Sequence, residues 1–380
     1  MELDPGMSDG SRASARRVAF DNSDGMLPLV LRHILNTALM VLTLGIYRFW
    51  AITVMRRLMW WRTSFDGQRF EYTGNGLEIF VGFLKVFLMV LLPVGLAIGA
   101  IRLALESQAT TASLETLQWV DSGYAVVIFF LIELGRFLSW RYRVSRTRWR
   151  GIRSRIDKPL RDYLAVAVGS AAMLVFSAWL LKPVADVLRA RTIIDSLNVG
   201  GMRARLRLSL GRLVPAWLLF VVLIAVVYIA FVVWFVFSAG MMQMAMREAG
   251  NSGAEMEIFG SLAGQLSFAA LFLLPLVGLW GFSCYRAAFW RHVCANTQLG
   301  PLSFRFTGTG TGLFWLTLTN LLIILVSLTL LAPITWRRRL EYAARHLEVQ
   351  GEISPEQLRQ IGQDESAIGG EGLAGDFDLA

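Results

Sequence analysis

Along the chain, long apolar runs alternate with short linkers rich in arginine and aromatic residues. The apolar runs extend from Leu27 to about Trp50, Leu77 to about Leu105, Trp119 to Trp140, Tyr163 to Leu181, Leu213 to Met246, Leu262 to Tyr285 and Leu313 to Ile334. Each approaches or exceeds the ~20 apolar residues that cross a bilayer as an α-helix. The pattern predicts an all-α polytopic membrane protein with about seven hydrophobic helices. Lys182-Pro183 ends the fourth run, and proline there cannot continue the preceding turn, so a break or kink is expected.

The linkers resemble one another. Arg57, Thr63, Phe70 and Gly74 of the first fall at one constant offset on Arg291, Thr297, Phe304 and Gly308 of the last. Sparser matches place Pro183 on Phe49, Arg191 on Arg57, and Tyr142 on Tyr285. The organisation read from these matches is an internal repeat. A first copy spans 27–160, a second 161–311 and a partial third 312–346. A mobile polar tail, 1–26, precedes them, and an acidic disordered tail, 347–380, follows. Phe70-x-Tyr72 and Phe304-x-Phe306 alternate as a strand does, which suggests short extended pieces at the membrane surface. The competing reading is an irregular turn whose aromatic residues sit in the interface.

Composition agrees with a membrane protein. Hydrophobic residues make up 55% of the chain and charged residues only 17%, where soluble domains average nearer a quarter. The formal charge of +9 is carried almost wholly by arginine; Lys85, Lys158 and Lys182 are the lysines. These arginines stand at the ends of apolar runs, where lipid phosphates lie, and a planar guanidinium holds a phosphate bidentately. Membrane lipids are therefore the expected partners, and nucleic acid is not. Arg56, Arg57, Arg148, Arg150, Arg153, Arg191 and Arg291 are the candidate headgroup or anion contacts.

No catalytic constellation emerges. His33, His292 and His346 are scattered, and Cys284, His292 and Cys294 lack metal-ligand spacing. Gly308 to Gly312 resembles a phosphate cradle only in composition. The sequence assigns no enzyme activity, no metal and no cofactor. The stronger candidates are ionisable residues inside apolar runs, which are costly there and often functional. Lys85 and Glu133 fall at similar depth if the second and third runs form a hairpin, so they can pair. Alternatively Lys85 snorkels to the interface and Glu133 pairs with Arg136 one turn on.

Topology contains a contradiction. Basic linkers belong in the cytoplasm, yet the fourth and seventh runs have arginine at both ends, and a single span cannot return to its own side. Either the third linker is exported, or the first, fourth and seventh runs fold back within the membrane. The C-terminus is cytoplasmic in both cases.

Leu42 to Tyr47, the basic linker after it and Phe70-Glu71-Tyr72-Thr73-Gly74 resemble the YjgN-type family of uncharacterised bacterial inner-membrane proteins. Arg146 to Arg153 resembles that family's second signature, and the likeness covers roughly residues 20 to 345. Phe49 stands where the family usually has proline. The resemblance implies an inner-membrane, multi-pass location and transfers no catalytic residue. Two functions remain open: transport of a small solute or lipid, suggested by the repeat, and a non-transporting scaffold acting through its arginine-rich linkers.

Overall fold

The computed structural model describes residues 16–21, 25–107, 111–249 and 262–351. Ten short strands close into one antiparallel barrel: β1 (Arg16–Phe20), β2 (Thr63–Phe65), β3 (Gln68–Tyr72), β4 (Thr147–Trp149), β5 (Ile152–Ile156), β6 (Leu197–Val199), β7 (Met202–Leu206), β8 (Thr297–Leu299), β9 (Leu302–Phe306) and β10 (Leu347–Gln350). Each strand pairs with its sequence neighbours, and β1 pairs with β10, Arg16 opposite Val349. The all-α expectation is therefore wrong. The extended pieces read in two linkers are strands of a closed sheet. Strands of three to five residues carry too little alternation to announce themselves, and only their mutual pairing stabilises them.

Connections alternate between two kinds. Four are two-residue turns: Asp66-Gly67, Arg150-Gly151, Gly200-Gly201 and Gly300-Pro301. Positive φ at Asp66 (52°) and Gly67 (71°), and at Arg150 (52°) and Gly151 (75°), gives the turn handedness that matches strand twist. The other five connections are helical hairpins. Three are short: α1 (Leu27–Leu42) with α2 (Arg48–Trp61), α5 (Leu160–Phe176) with α6 (Lys182–Ile194), and α9 (Gly310–Val326) with α10 (Ala332–His346). Two are long: α3 (Gly76–Glu106) with α4 (Thr111–Ser145), and α7 (Leu213–Ala249) with α8 (Leu262–Ala295). Because neighbouring strands are antiparallel, every tight turn lies at one end of the barrel and every helical hairpin leaves from the other. Each hairpin packs on the next one round, and α10 packs on α1 and β1 to complete the ring.

One hydrogen bond recurs at all five hairpin bases. The residue after each entering strand donates its N–H to the carbonyl that ends the returning helix: Asp21 to Arg62 (2.7 Å), Thr73 to Arg146 (2.9 Å), Asp157 to Ser196 (2.9 Å), Arg207 to Asn296 (3.1 Å) and Thr307 to His346 (2.9 Å). At three of these returns a threonine that opens the strand donates its hydroxyl back to the helix, Thr63 to Met59, Thr147 to Arg143 and Thr297 to Val293. These bonds satisfy carbonyls that a helix terminus otherwise leaves without partners.

The barrel is filled. Phe65, Trp149, Leu302 and Val349 form its buried centre, with Val18, Phe70, Leu299 and Phe304 packed against them. Trp149 Nε1 donates to the Phe65 carbonyl at 3.2 Å, so the indole N–H is not buried without a partner. On β7, Met202, Ala204 and Leu206 are buried while Arg203 and Arg205 are exposed, and Arg155 and Arg305 are likewise exposed on the outer wall.

Among the described residues three helices are long and apolar enough to cross a membrane, Gly76–Glu106, Glu115–Ser145 and Leu213–Gly240, rather than about seven. Three of the runs fall short for a local reason: the first and seventh are each broken into two helices, and the fourth ends in a turn before α6 begins. The breaks place non-glycine residues at positive φ, Leu44 (50°), Ala178 (45°) with Trp179 (68°), and Leu328 (46°) with Thr329 (73°). Their cost is offset by a tip that satisfies itself. The N–H groups of Gly45, Trp179 and Thr329 reach back to Met40, Leu174 and Ile324. Those of Tyr47, Leu181 and Leu331 donate to the hydroxyls of Thr43, Ser177 and Ser327. Within α3 the turn Phe87–Leu91 widens to π geometry just before Pro93, which lacks an N–H for the normal ladder.

The tail boundaries read from sequence also change. Arg16–Phe20 and Leu347–Gln350 are strands, and residues 1–15, 22–24 and 352–380 of the two tails lie outside the described residues.

Two outcomes follow. Trp149→Ala leaves a cavity among the barrel's inner side chains and lowers stability by about 3–5 kcal/mol, measured by thermal unfolding in detergent. In a background lacking Cys284 and Cys294, single cysteines at Gln68, Arg203 and Ser303 react with an impermeant thiol reagent from one and the same side of the membrane. Opposite-side labelling of Arg203→Cys would contradict the single barrel.

Candidate functional site: a charged seam around the central short hairpin

The short hairpin α5/α6 is flanked on both sides by carboxylates within helices. On one side, Glu133 of α4 is buried, its side chain 5% exposed. Arg136 Nη1 donates to its Oε1 at 3.0 Å, and Tyr163 of α5 donates to its Oε2 at 3.2 Å. Arg189 of α6 approaches Oε1 at 4.0 Å and donates through Nε to Ser170 Oγ at 2.6 Å. The ring of Tyr163 stacks on Phe137 with centroids 4.5 Å apart, which fixes the hydroxyl over Glu133. On the other side, Asp186 of α6 accepts from Lys182 Nζ at 2.8 Å and from Tyr285 Oη of α8 at 2.8 Å. Lys182 also lies over the rings of Phe282 and Tyr285.

The two clusters share one composition: a carboxylate, a cation on the same helix, and a tyrosine from the neighbouring hairpin. Each carboxylate is thus neutralised and hydrogen-bonded, the condition under which a charge tolerates low dielectric. Glu133–Tyr163–Arg189 joins the second hairpin to the third, and Asp186–Tyr285 joins the third to the fourth. Position explains how Glu133 comes to be buried. Counted back from the strand that follows, it occupies the place held by Pro183, Ser283 and Pro333 on other returning helices, all buried.

The candidate Lys85–Glu133 pair is not formed. The contacts of Glu133 are those above, while Lys85 is exposed on α3 next to its π turn. The arginines singled out as headgroup contacts divide into two groups. Arg57, Arg191 and Arg291 occupy equivalent exposed places shortly before the following strand; Arg57 donates to the Gly74 carbonyl at 3.2 Å and Arg191 to Asp195 at 3.4 Å. Arg56 donates to Tyr72 Oη at 3.3 Å. By contrast Arg148 and Arg153 face one another across β4 and β5, and Arg150 sits in a tight turn bonded to Asp66 at 2.7 Å. On the same wall Asp157 pairs with Arg155 and, through that hydrogen bond, holds its guanidinium above its ordinary range.

Tyr163, Lys182, Asp186, Arg189 and Tyr285 were not singled out as site residues from sequence. Lys182 and Asp186 stand one turn apart at a helix start, a spacing that reads as an ordinary exposed pair. The partners that make it a junction come from another hairpin.

The bases of the hairpins are tied by a second recurring contact. Tyr142 bonds the backbone at Asn75 and donates to Glu78 (2.8 Å), which also pairs with Arg146 (2.9 Å). His292 contacts the Ser209 carbonyl at 2.8 Å and Tyr342 donates to that of Thr309 at 3.3 Å. His292 and Tyr342 therefore serve the hairpin bases.

Residues 18–375 match a family of bacterial proteins of unknown function, DUF898. The chain belongs to that family. Comparison with curated proteins and with solved structures gives no match. The matched span takes in all ten strands except the start of β1, so the barrel and its five helical hairpins lie within the family's extent.

Removing the Glu133 carboxylate leaves Arg189 without its counter-charge. Glu133→Gln is expected to cost about 3 kcal/mol, the scale for breaking a buried pair. Adding Arg189→Met recovers part of the loss, whereas adding Lys85→Met recovers none. Thermal shifts across the two double-mutant cycles distinguish these partners.

Proposed function

We propose that the protein is a multi-pass scaffold of the bacterial inner membrane that binds anionic lipid and does not transport along its barrel axis. In this reading the barrel sits on the cytoplasmic surface with its tight turns directed away from the bilayer, and the C-terminus is cytoplasmic. The long hairpins α3/α4 and α7/α8 cross the membrane. The short hairpins enter the near leaflet and return.

The observation that carries the reading is the distribution of side chains in the barrel. Aromatic and aliphatic groups fill its axis, while arginines stand on its wall and at its helical end. A conducting barrel needs the reverse, a polar lumen. Support for shallow insertion comes from the tips: Leu44, Phe176 and Leu328 are 94%, 90% and 81% exposed in the isolated chain. Apolar groups at a hairpin tip gain free energy in lipid at about 25 cal/mol per Å². A helix of about 16 residues rises only ~24 Å, short of the ~30 Å hydrocarbon core. The self-satisfied tip backbone also meets the requirement that lipid provides no hydrogen-bond partners. Placement of the arginine-rich linkers together on the cytoplasmic side resolves the contradiction over the third linker.

Transport is the second reading, favoured by Glu133 and Asp186, since carboxylates at membrane depth often mark ion paths. Here both are fully partnered, which suits a staple between hairpins better than a site that must load and unload. Reconstitution in liposomes under an imposed potential and pH gradient tests the choice. The expected ion and proton leak equals that of protein-free liposomes. A flux above that level which Asp186→Asn abolishes would replace the scaffold with a transporter.

A further inference from the structure

Two grooves on the helical ring have the same chemical make-up. One, of about 320 Å³, lies on the first short hairpin and is lined by Arg32, Arg57, Trp61, Val54 and Leu58. The other, of about 460 Å³, opens where α4 meets α5/α6. Arg136, Arg143 and Trp140 line it, with Ile132, Tyr163 and Ile193 among its apolar walls. Each offers two guanidiniums, one indole and an aliphatic surface, and neither is lined by a carboxylate. That combination fits a molecule with an anionic head and hydrocarbon tails, and Trp is the side chain that favours the boundary between the two.

We propose that the larger groove is a binding site for one anionic glycerophospholipid, seated against α4 at its junction with the central short hairpin. The proposal deepens the scaffold reading and rests on it for placing α4 across the bilayer. Arg136 is prepared for this role by Glu133. One of its five N–H donors is committed to the buried carboxylate, yet its side chain remains 62% exposed, which leaves the rest of the fork facing the groove. Arg143 lies two turns nearer the barrel on the same face, and its Nε donates to the Ser139 carbonyl at 3.1 Å. Their backbone positions stand ~10 Å apart along the helix axis, so the two side chains start from different depths. They suit a lipid that presents its phosphate to Arg143, near the membrane surface, and its ester oxygens to Arg136, deeper in. Ile132 and Ile193 then meet the acyl chains.

Charge selects the class of lipid. Of the ionised groups at the junction, Glu133 carries one negative charge against Arg136, Arg143 and Arg189, so the groove keeps a net positive charge. An anionic headgroup satisfies it, whereas a zwitterionic one brings a cation of its own to the same place.

The test uses the full-length protein, delipidated in detergent and analysed by native mass spectrometry after incubation with phosphatidylglycerol, phosphatidylcholine or inorganic phosphate. The wild type is expected to retain phosphatidylglycerol about tenfold better than phosphatidylcholine, the worth of one charge-assisted contact. Arg143→Gln, which breaks no ion pair, removes most of that preference. Arg136→Gln, which leaves Glu133 its contacts with Tyr163 and Arg189, lowers it as well. Arg205→Gln on the barrel wall leaves it unchanged. Equal retention of the two lipids, or a preference that survives Arg143→Gln, overturns the site. Displacement of the lipid by inorganic phosphate shows a free-anion site and also overturns it. The flux measurement is read separately: a conducting protein that retains the lipid keeps this site and loses only the scaffold reading.

Discussion

The pairing of β1 with β10 is the constraint on which the remaining structure depends. It joins Arg16–Phe20 to Leu347–Gln350, strands from opposite ends of the described chain, and leaves the sheet without an edge. Ten strands of three to five residues hold little ladder energy each, and an open sheet of them would expose two unpaired edges. Closure pairs every strand on both sides. It also decides where the helices go, because alternating antiparallel strands send all five helical hairpins out of one end. A helix-bearing side and a turn-bearing side are consequences of parity, not of any single segment's hydrophobicity.

The hairpins inherit their spacing from the barrel, and the polar contacts between them depend on that spacing. Equivalent places on the five returning helices are held by Phe49, Pro183, Ser283, Pro333 and, once, a carboxylate, Glu133. Only at that one place does the ring need a buried counter-charge, and Arg189, Arg136 and Tyr163 supply it from both sides. Asp186 repeats the solution at the next junction with Lys182 and Tyr285. The central short hairpin is thus pinned to both of its long neighbours by neutralised carboxylates. The first and last short hairpins meet instead through neutral contacts, His33 against Trp336 and the Thr329 carbonyl. This asymmetry gives the middle of the ring its chemical character and leaves the adjoining groove with surplus positive charge.

Much of the architecture was legible one piece at a time. The apolar runs and arginine linkers are visible in composition, and they locate the helices and their ends. Gly67, Gly151, Gly201 and Gly300 stand in dipeptides that build primed turns, a local signal for β-hairpins. The alternation around Phe70 and Phe304 already indicated extended backbone. Arginine at both ends of the fourth and seventh runs posed a choice between an exported third linker and runs that fold back, and sequence alone left it open.

Other features had no local signature. Leu44, Ala178 and Leu328 turn the chain through positive φ inside unbroken apolar sequence, so each run reads as one helix. The hairpin is favoured only when α2, α6 or α10 has a barrel strand to reach. Register in the barrel is non-local as well, and a strand of three residues has no period to measure. Lys85 and Glu133 matched in depth along their own helices, but depth says nothing of the angle round a ring. The barrel's spacing turned Glu133 toward Arg189 and Tyr163. What the sequence determined by itself was everything set by transfer between water, interface and hydrocarbon, because those free energies add residue by residue. Pairing, closure and the choice of charge partner depend on which distant segments meet, and only the tertiary structure decided them.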